Sequence, residues 1–183
     1  MTGVPTTVEG GEGGAAPPRR TPLWLWAVGV LLVQAAAASA HPRVEVIRVV
    51  DGDTVVVRRE GRRETVRLLG VDTPERGRQG RPGEPYARAA ERFTRRLLAR
   101  AERVELQVAG DRVDAHGRTL GFLWLTLPGR DAPVNLSEAL LAEGLAKAIR
   151  HFDYPGKGGF LELEARARRE GRGLWTGRRN PPF

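Results

Sequence analysis

Val44–Val50 and Thr54–Arg59 are runs rich in β-branched residues on either side of Asp51-Gly52, a turn signal, and read as a β-hairpin. Gly61-Arg62 marks the next turn, and ETVRLLGV (64–71) continues as a third strand. Residues 74–85, PERGRQGRPGEP, contain no apolar side chain and read as a loop. Tyr86, Ala90, Phe93, Leu97 and Ala101 then recur at helical spacing, with Arg88, Glu91, Arg95 and Arg96 opposite them. RVELQV (103–108) alternates as a strand, and RTLGFLWLTL (118–127) reads as another, the two joined through the turn-rich AGDRVDAHG. A second helix fits 135–143, stopped by Gly144, and a third fits about 158–171, with Trp175 packing back. Five short, mainly antiparallel strands with few helices predict an α+β, mainly β domain. The expected architecture is a five-stranded OB-fold barrel with about three helices, because closure removes edge strands.

Ahead of this pattern lies a segment of different character. Residues 1–22 are rich in Gly, Pro and Thr, show no periodicity, and read as a disordered leader. Leu23–Val33 is apolar and follows Arg19-Arg20; QAAAASA extends it to Ala40. A positive flank, an apolar stretch and Ala38-Ser39-Ala40 are the parts of a secretory signal, with cleavage expected after Ala40. The apolar core is short of the roughly 20 residues that span a bilayer. With its alanine tail it reaches 18, so residues 23–40 are a signal peptide or, alternatively, a retained membrane anchor. The protein is expected to be exported, secreted or held in the cell envelope, and to meet a membrane only if the leader is retained. Residues 41–176 form the expected domain and 177–183 a flexible tail.

The formal charge of +8 falls wholly on the part after Ala40, because Glu9 and Glu12 balance Arg19 and Arg20. A basic domain attracts polyanions, whether nucleic acid or anionic membrane. Arginine makes up 28 of the 30 basic residues, so composition alone inflates that signal. There is no cysteine, which excludes disulfides, thiol chemistry and Cys-ligated zinc. His41, His116 and His151 have no metal-ligand spacing.

The strand ends and turns carry Asp51, Asp53, Arg67, Asp72, Glu75 and Arg118, and DAHGR sets Asp114 and Arg118 about a glycine turn. If they converge, a hard cation would relieve the carboxylate repulsion. Two arginines could fork onto phosphate oxygens, and a spare carboxylate could position water. Together these are the parts of phosphodiester hydrolysis. Each also has a plain structural role: Asp51-Gly52 as a turn, DTPE as a helix start, the arginines as ion-pair partners. Composition leaves those alternatives open.

DGDT (51–54), RLLGVDTPE (67–75), DAHGR (114–118), VNLSEALLAEGLAK (134–147) and GLW (173–175) resemble the staphylococcal nuclease family, in the family's order. The resemblance covers about residues 43–176. It implies an OB-fold with three helices and Ca²⁺-dependent cleavage of DNA and RNA that leaves 3′-phosphate ends. It further implies Asp53, Asp72 and the Thr73 carbonyl as metal ligands, with Asp51 just outside them. Arg67 and Arg118 would bind phosphate, and Glu75 would activate or position water. Where the family's type member places tyrosines near the nucleotide, this chain has His116, Arg150 and Phe152, which are candidate substrate contacts. The expected partner is single-stranded or frayed nucleic acid, and the expected state is a monomer. A non-catalytic OB module binding nucleic acid or protein is the alternative.

Overall fold

The computed structural model describes residues 41–77, 80 and 82–177, with backbone alone at 110–112. The expectations for residues 1–22 and 23–40, and for nearly all of the tail, lie outside the described residues. Eight strands and three helices follow in order. They are β1 (Glu45–Val49), β2 (Thr54–Arg59), β3 (Arg62–Leu68), β4 (Val71–Asp72), α1 (Ala87–Arg100), β5 (Arg103–Val113) and β6 (Thr119–Thr126). Then come β7 (Val134–Asn135), α2 (Leu136–Ala142), β8 (Lys147–Ala148), α3 (Lys157–Arg169) and a 3-10 turn at Gly173–Trp175.

The hairpin pattern is realised in the register: Val55 faces Val66 and Val57 faces Glu64 across β2 and β3, while Val46 faces Val57 across β1 and β2. Val55, Val57 and Val66 are fully buried, and each such side chain contributes about 1.5–3 kcal/mol. The strand path is β1-β2-β3-β6-β5, with β7 on the far side of β6; β4 and β8 pair separately. All of these pairs are antiparallel except β3 with β6. That parallel pair sets Arg67 beside Leu120 and so brings it to the start of β6, where Arg118 lies.

The expected closed barrel needs correction. Among the described residues, β1 and β5 share no ladder. The chain just ahead of β1 meets β5 at the Arg43–Glu105 bridge, through Val44 N to Val104 O (2.9 Å) and Leu106 N to Pro42 O (3.0 Å). Among the described residues this contact is confined to residues 42–44, where Pro42 has no N–H to give. The result is a strongly curved sheet touching itself at one end. Five strands were expected, and the additional ones are the two-residue pieces β4, β7 and β8, too short to show a period.

The buried core holds Leu106, Leu123 and Leu125 of the sheet with Leu136, Leu140 and Leu141 of α2, and Phe160 of α3 sets its ring edge-on to Phe122 of β6, 5.8 Å between centroids. Helix α2 starts at Asn135, whose side chain accepts from Ser137 N (2.9 Å) and Glu138 N, capping two free N–H groups. Helix α1 lies on the β1–β2 turn: Thr94 Oγ1 donates to Gly52 O at 2.6 Å. A Cβ on Gly52 would come within 2.7 Å of Ala90 Cβ and 2.8 Å of Thr73 Oγ1. Glycine is required there for space, not for an unusual backbone angle.

Candidate functional site

The Asp51–Gly52–Asp53 turn splits its two carboxylates into different tasks. Asp51 Oδ1 accepts from Asp53 N (3.3 Å), a local bond that shapes the turn. Asp53 points inward and is buried. Its Oδ2 accepts from Thr73 N (2.7 Å) and Thr73 Oγ1 (2.9 Å), and its Oδ1 accepts from Thr54 Oγ1 (3.1 Å). Those bonds lock the end of β4 onto the turn. Burial pushes the Asp53 carboxyl up to about 6, with the Asp51 charge adding to it; the Arg67 charge and the Thr73 bonds pull the other way without cancelling it.

Arg67 joins the two aspartates expected to act together. Its Nη1 lies 2.6 Å from Asp53 Oδ2 and donates to Val71 O at 2.9 Å, while Nη2 reaches Asp72 Oδ1 at 2.9 Å. Asp53 is shut in and Asp72 is largely exposed, so a single cationic group spans the border between core and solvent. Arg118 is held from the other side: its Nε sits 2.6 Å from Asp114 Oδ2, while Asp114 Oδ1 accepts from His116 N and Arg118 N, both at 2.9 Å. Burial of Asp114 raises its carboxyl, but the Arg118 and His116 donors and the Arg118 charge outweigh this and hold it below its ordinary value.

Arg67 and Arg118 line one cavity of about 490 Å³, with Asp72, Asp114, Lys147, Arg150, His151 and Phe152 around them and Leu68, Leu120 and Ile149 in its wall. Convergence of the two arginines, which composition left open, is therefore met. Glu75 is placed differently. It lies on the exposed segment leaving β4, its N–H donating to Glu84 Oε2 (3.0 Å) and its carbonyl accepting from Glu84 N (2.9 Å), outside the residues that line the cavity. Among the described residues nothing bonds its carboxylate.

The three candidate substrate contacts separate. Phe152 lines the cavity, with its ring edge-on to His151 and Tyr154. Arg150 also lines it, but its guanidinium is engaged by Glu164 Oε2 (2.5 Å) and Ala148 O (2.9 Å). His116 is exposed on the β5–β6 loop and is not brought to the cavity. Two residues given no role from sequence do line it. Lys147 stands opposite Asp72 in the β4–β8 pair, and His151 follows Arg150. The quoted GLAK stretch contained Lys147, but a two-residue strand gives no pattern that would pair it with Asp72.

Among the described residues, no three His, Cys, Asp or Glu side chains are grouped to hold a metal. What the site does offer is two hard carboxylate oxygen donors converging on one cation, at present the Arg67 guanidinium. That donor set fits a hard divalent ion completing its shell with a backbone carbonyl and water.

The staphylococcal nuclease homologue family matches residues 65–177. A thermonuclease of Staphylococcus hyicus is 40% identical over 104 residues, covering 57% of each chain. One from Staphylococcus intermedius is 43% identical over 101 residues, covering 55% of this chain and 56% of its own. The chain thus spans little more than half the length of these two relatives. A micrococcal nuclease of Shigella flexneri is 34% identical over 153 residues, covering 82% of this chain and 83% of its own.

Proposed function

The chain belongs to the staphylococcal nuclease family, and from that premise we propose that it is an exported, monomeric, Ca²⁺-dependent nuclease. It hydrolyses phosphodiester bonds of DNA and RNA and leaves 3′-phosphate ends. The observation that carries this reading is the pair of arginines in one cavity, each held by carboxylates: Arg67 by the two of Asp53 and Asp72, Arg118 by that of Asp114. Guanidinium groups fixed before the substrate arrives need no reorganisation when charge develops on the phosphate.

Arg67 and Arg118 take the non-bridging oxygens of the scissile phosphate and stabilise the extra negative charge of the transition state. Glu75, whose carboxylate is bonded by no side chain among the described residues, orients a water and accepts its proton. The new bond forms between that water and phosphorus, and the bond to the 5′-oxygen breaks, that oxygen leaving with the electron pair and taking a proton from solvent to become the 5′-hydroxyl. Asp53 and Asp72, with the Thr73 carbonyl, would hold Ca²⁺, which when bound neutralises phosphate charge and lends Lewis acidity. The hydrogen bonds from Thr54 and Thr73 keep the Asp53 carboxylate from rotating away. Phe152 supplies a ring to a neighbouring base. Export rests on the signal-like residues 19–40. A mature N-terminus at His41 supports cleavage, and an intact leader refutes it.

The test is cleavage of heat-denatured DNA by the full chain with Ca²⁺ or with chelator. Ca²⁺-dependent cleavage leaving 3′-phosphates is expected. Arg67→Ala or Arg118→Ala should lower kcat about 10³-fold or more, and Glu75→Gln about 10²-fold or more. Binding of DNA without Ca²⁺-dependent cleavage would instead support a non-catalytic module.

A further inference from the structure

Helix α1 carries arginine at every fourth position: Arg88, Arg92, Arg96 and Arg100. Residues four apart lie almost above one another, about 6 Å along the axis, so the four form a stripe. Ala87, Ala90, Thr94 and Leu98 form a separate buried row, while Ala89, also buried, lies on the stripe's side of the helix. Like charges at this spacing weaken a helix, and α1 does little to offset them. Its single acid, Glu91, is taken by Arg76 and Arg95, both at 2.8 Å. Among the described residues, Arg88, Arg96 and Arg100 have no carboxylate partner.

The stripe borders a second cavity of about 640 Å³ that contains none of the residues of the first. Arg92, Phe93 and Arg96 line it from α1; Arg172, paired with Glu170 at 2.7 Å, and Trp175, with Arg168 4.0 Å over one face of its ring, line it from the far side, and Glu143 is its single lining carboxylate. A cationic groove with half-buried aromatic walls is what single strands use, with phosphates on the charges and bases on the rings. An anionic membrane would call for apolar side chains standing clear of the surface. Phe93 and Trp175 are both partly covered, and the exposed large hydrophobic among the described residues is Val113, on β5.

We propose that the α1 arginine stripe and the Phe93/Trp175 cavity form a second, non-hydrolytic track for single-stranded nucleic acid. It takes a stretch of strand beyond the bond being cut. The nature of the ligand rests on the nucleic-acid reading above; whether cleavage occurs does not enter.

The experiment measures binding of a fluorescein-labelled 20-residue oligo(dT) to the full chain in chelator, across a salt series. It compares the wild type with Arg88→Gln/Arg92→Gln/Arg96→Gln/Arg100→Gln and with Trp175→Phe. Loss of the phosphate contacts of Arg88, Arg96 and Arg100 should weaken binding tenfold or more, and lower the slope of log K against log salt by about 2. Trp175→Phe should weaken binding with the slope unchanged. Hydrolysis of a small nitrophenyl phosphodiester should be unaffected, and the four arginine-to-lysine changes should restore binding. If the glutamine variant is poorly folded by its melting curve, single Arg96→Glu replaces it, with a weaker but same-direction effect. Unchanged affinity and slope in the glutamine variant overturn the proposal. So does a loss confined to phosphatidylserine vesicles, which would assign the stripe to a lipid surface. A wild type that binds through the stripe yet hydrolyses nothing would sink the nuclease reading and leave this one standing.

Discussion

Asp114 receives two backbone N–H bonds and one guanidinium bond, all onto the charged form of its carboxylate. Its value is held below the ordinary 3.8, so the folded state favours the ionised group more than the unfolded chain does. The sign follows: this stabilisation is complete above the ordinary carboxylate range and disappears as pH falls through the lowered folded value. Asp114→Ala should therefore cost about 1–3 kcal/mol at pH 7, as bonds to a charged group do. As pH falls through the lowered folded value the gap between the melting curves of variant and wild type should narrow; a gap that does not change with pH would mean that the carboxylate's charge is not the cause. The same residue shows what could be read in advance and what could not. DAHGR placed Asp114 and Arg118 about a glycine turn, and they do pair. Arg150 could be read as a phosphate ligand because nothing in the sequence shows that Glu164, fourteen residues on, is fully buried beneath it and shared with Arg168. Partners across a fold carry no local signal.

Gly70 separates β3 from β4 and lets one continuous apolar run serve two sheets. Its φ of +79° is accessible to glycine, and its carbonyl accepts from Ile149 N (2.9 Å) and Tyr154 Oη (3.2 Å). An added Cβ would sit 2.6 Å from Tyr154 Cε2 and 2.8 Å from Phe160 Cε2. Gly70→Ala thus combines backbone strain with overpacking, on the order of 3 kcal/mol, or a melting temperature lower by about 6–12 °C. A loss under 1 °C would show that the Tyr154 and Phe160 rings yield freely. At this scale the periodic elements were legible: β1, β2, β3, α1, α2 and α3 fall within a few residues of their predicted bounds. The break at Gly70 was missed because the hydrophobic pattern of 64–71 runs on unchanged through it. The extension of β5 to Val113 was missed because AGDRVDAHG has turn composition, whereas its backbone continues in the ladder past an irregularity. Parallel pairing of β3 with β6 was equally hidden, since α1 and β5 intervene in the chain.

For the molecule as a whole, the electrostatic problem is to keep two carboxylates beside each other in a chain that carries +8 overall. Arg67 solves it by spanning Asp53 and Asp72. A divalent ion would compete with the guanidinium for the same oxygens, and its binding would show as folding stability whether or not substrate is cut. Ca²⁺ at about a hundred times its dissociation constant should stabilise the wild type by about 2.7 kcal/mol, and Asp72→Asn should largely abolish that gain. Arg67→Ala gives the sharper contrast. It should be less stable than wild type in chelator, because the buried Asp53 loses its cation. It should nevertheless gain more from Ca²⁺ than the wild type does, because the competitor is gone and the local charge is more negative. Measured by thermal melting with chelator, Ca²⁺ and Mg²⁺ in turn, an Arg67→Ala variant that gains less than the wild type would show that arginine and ion do not share the two aspartates.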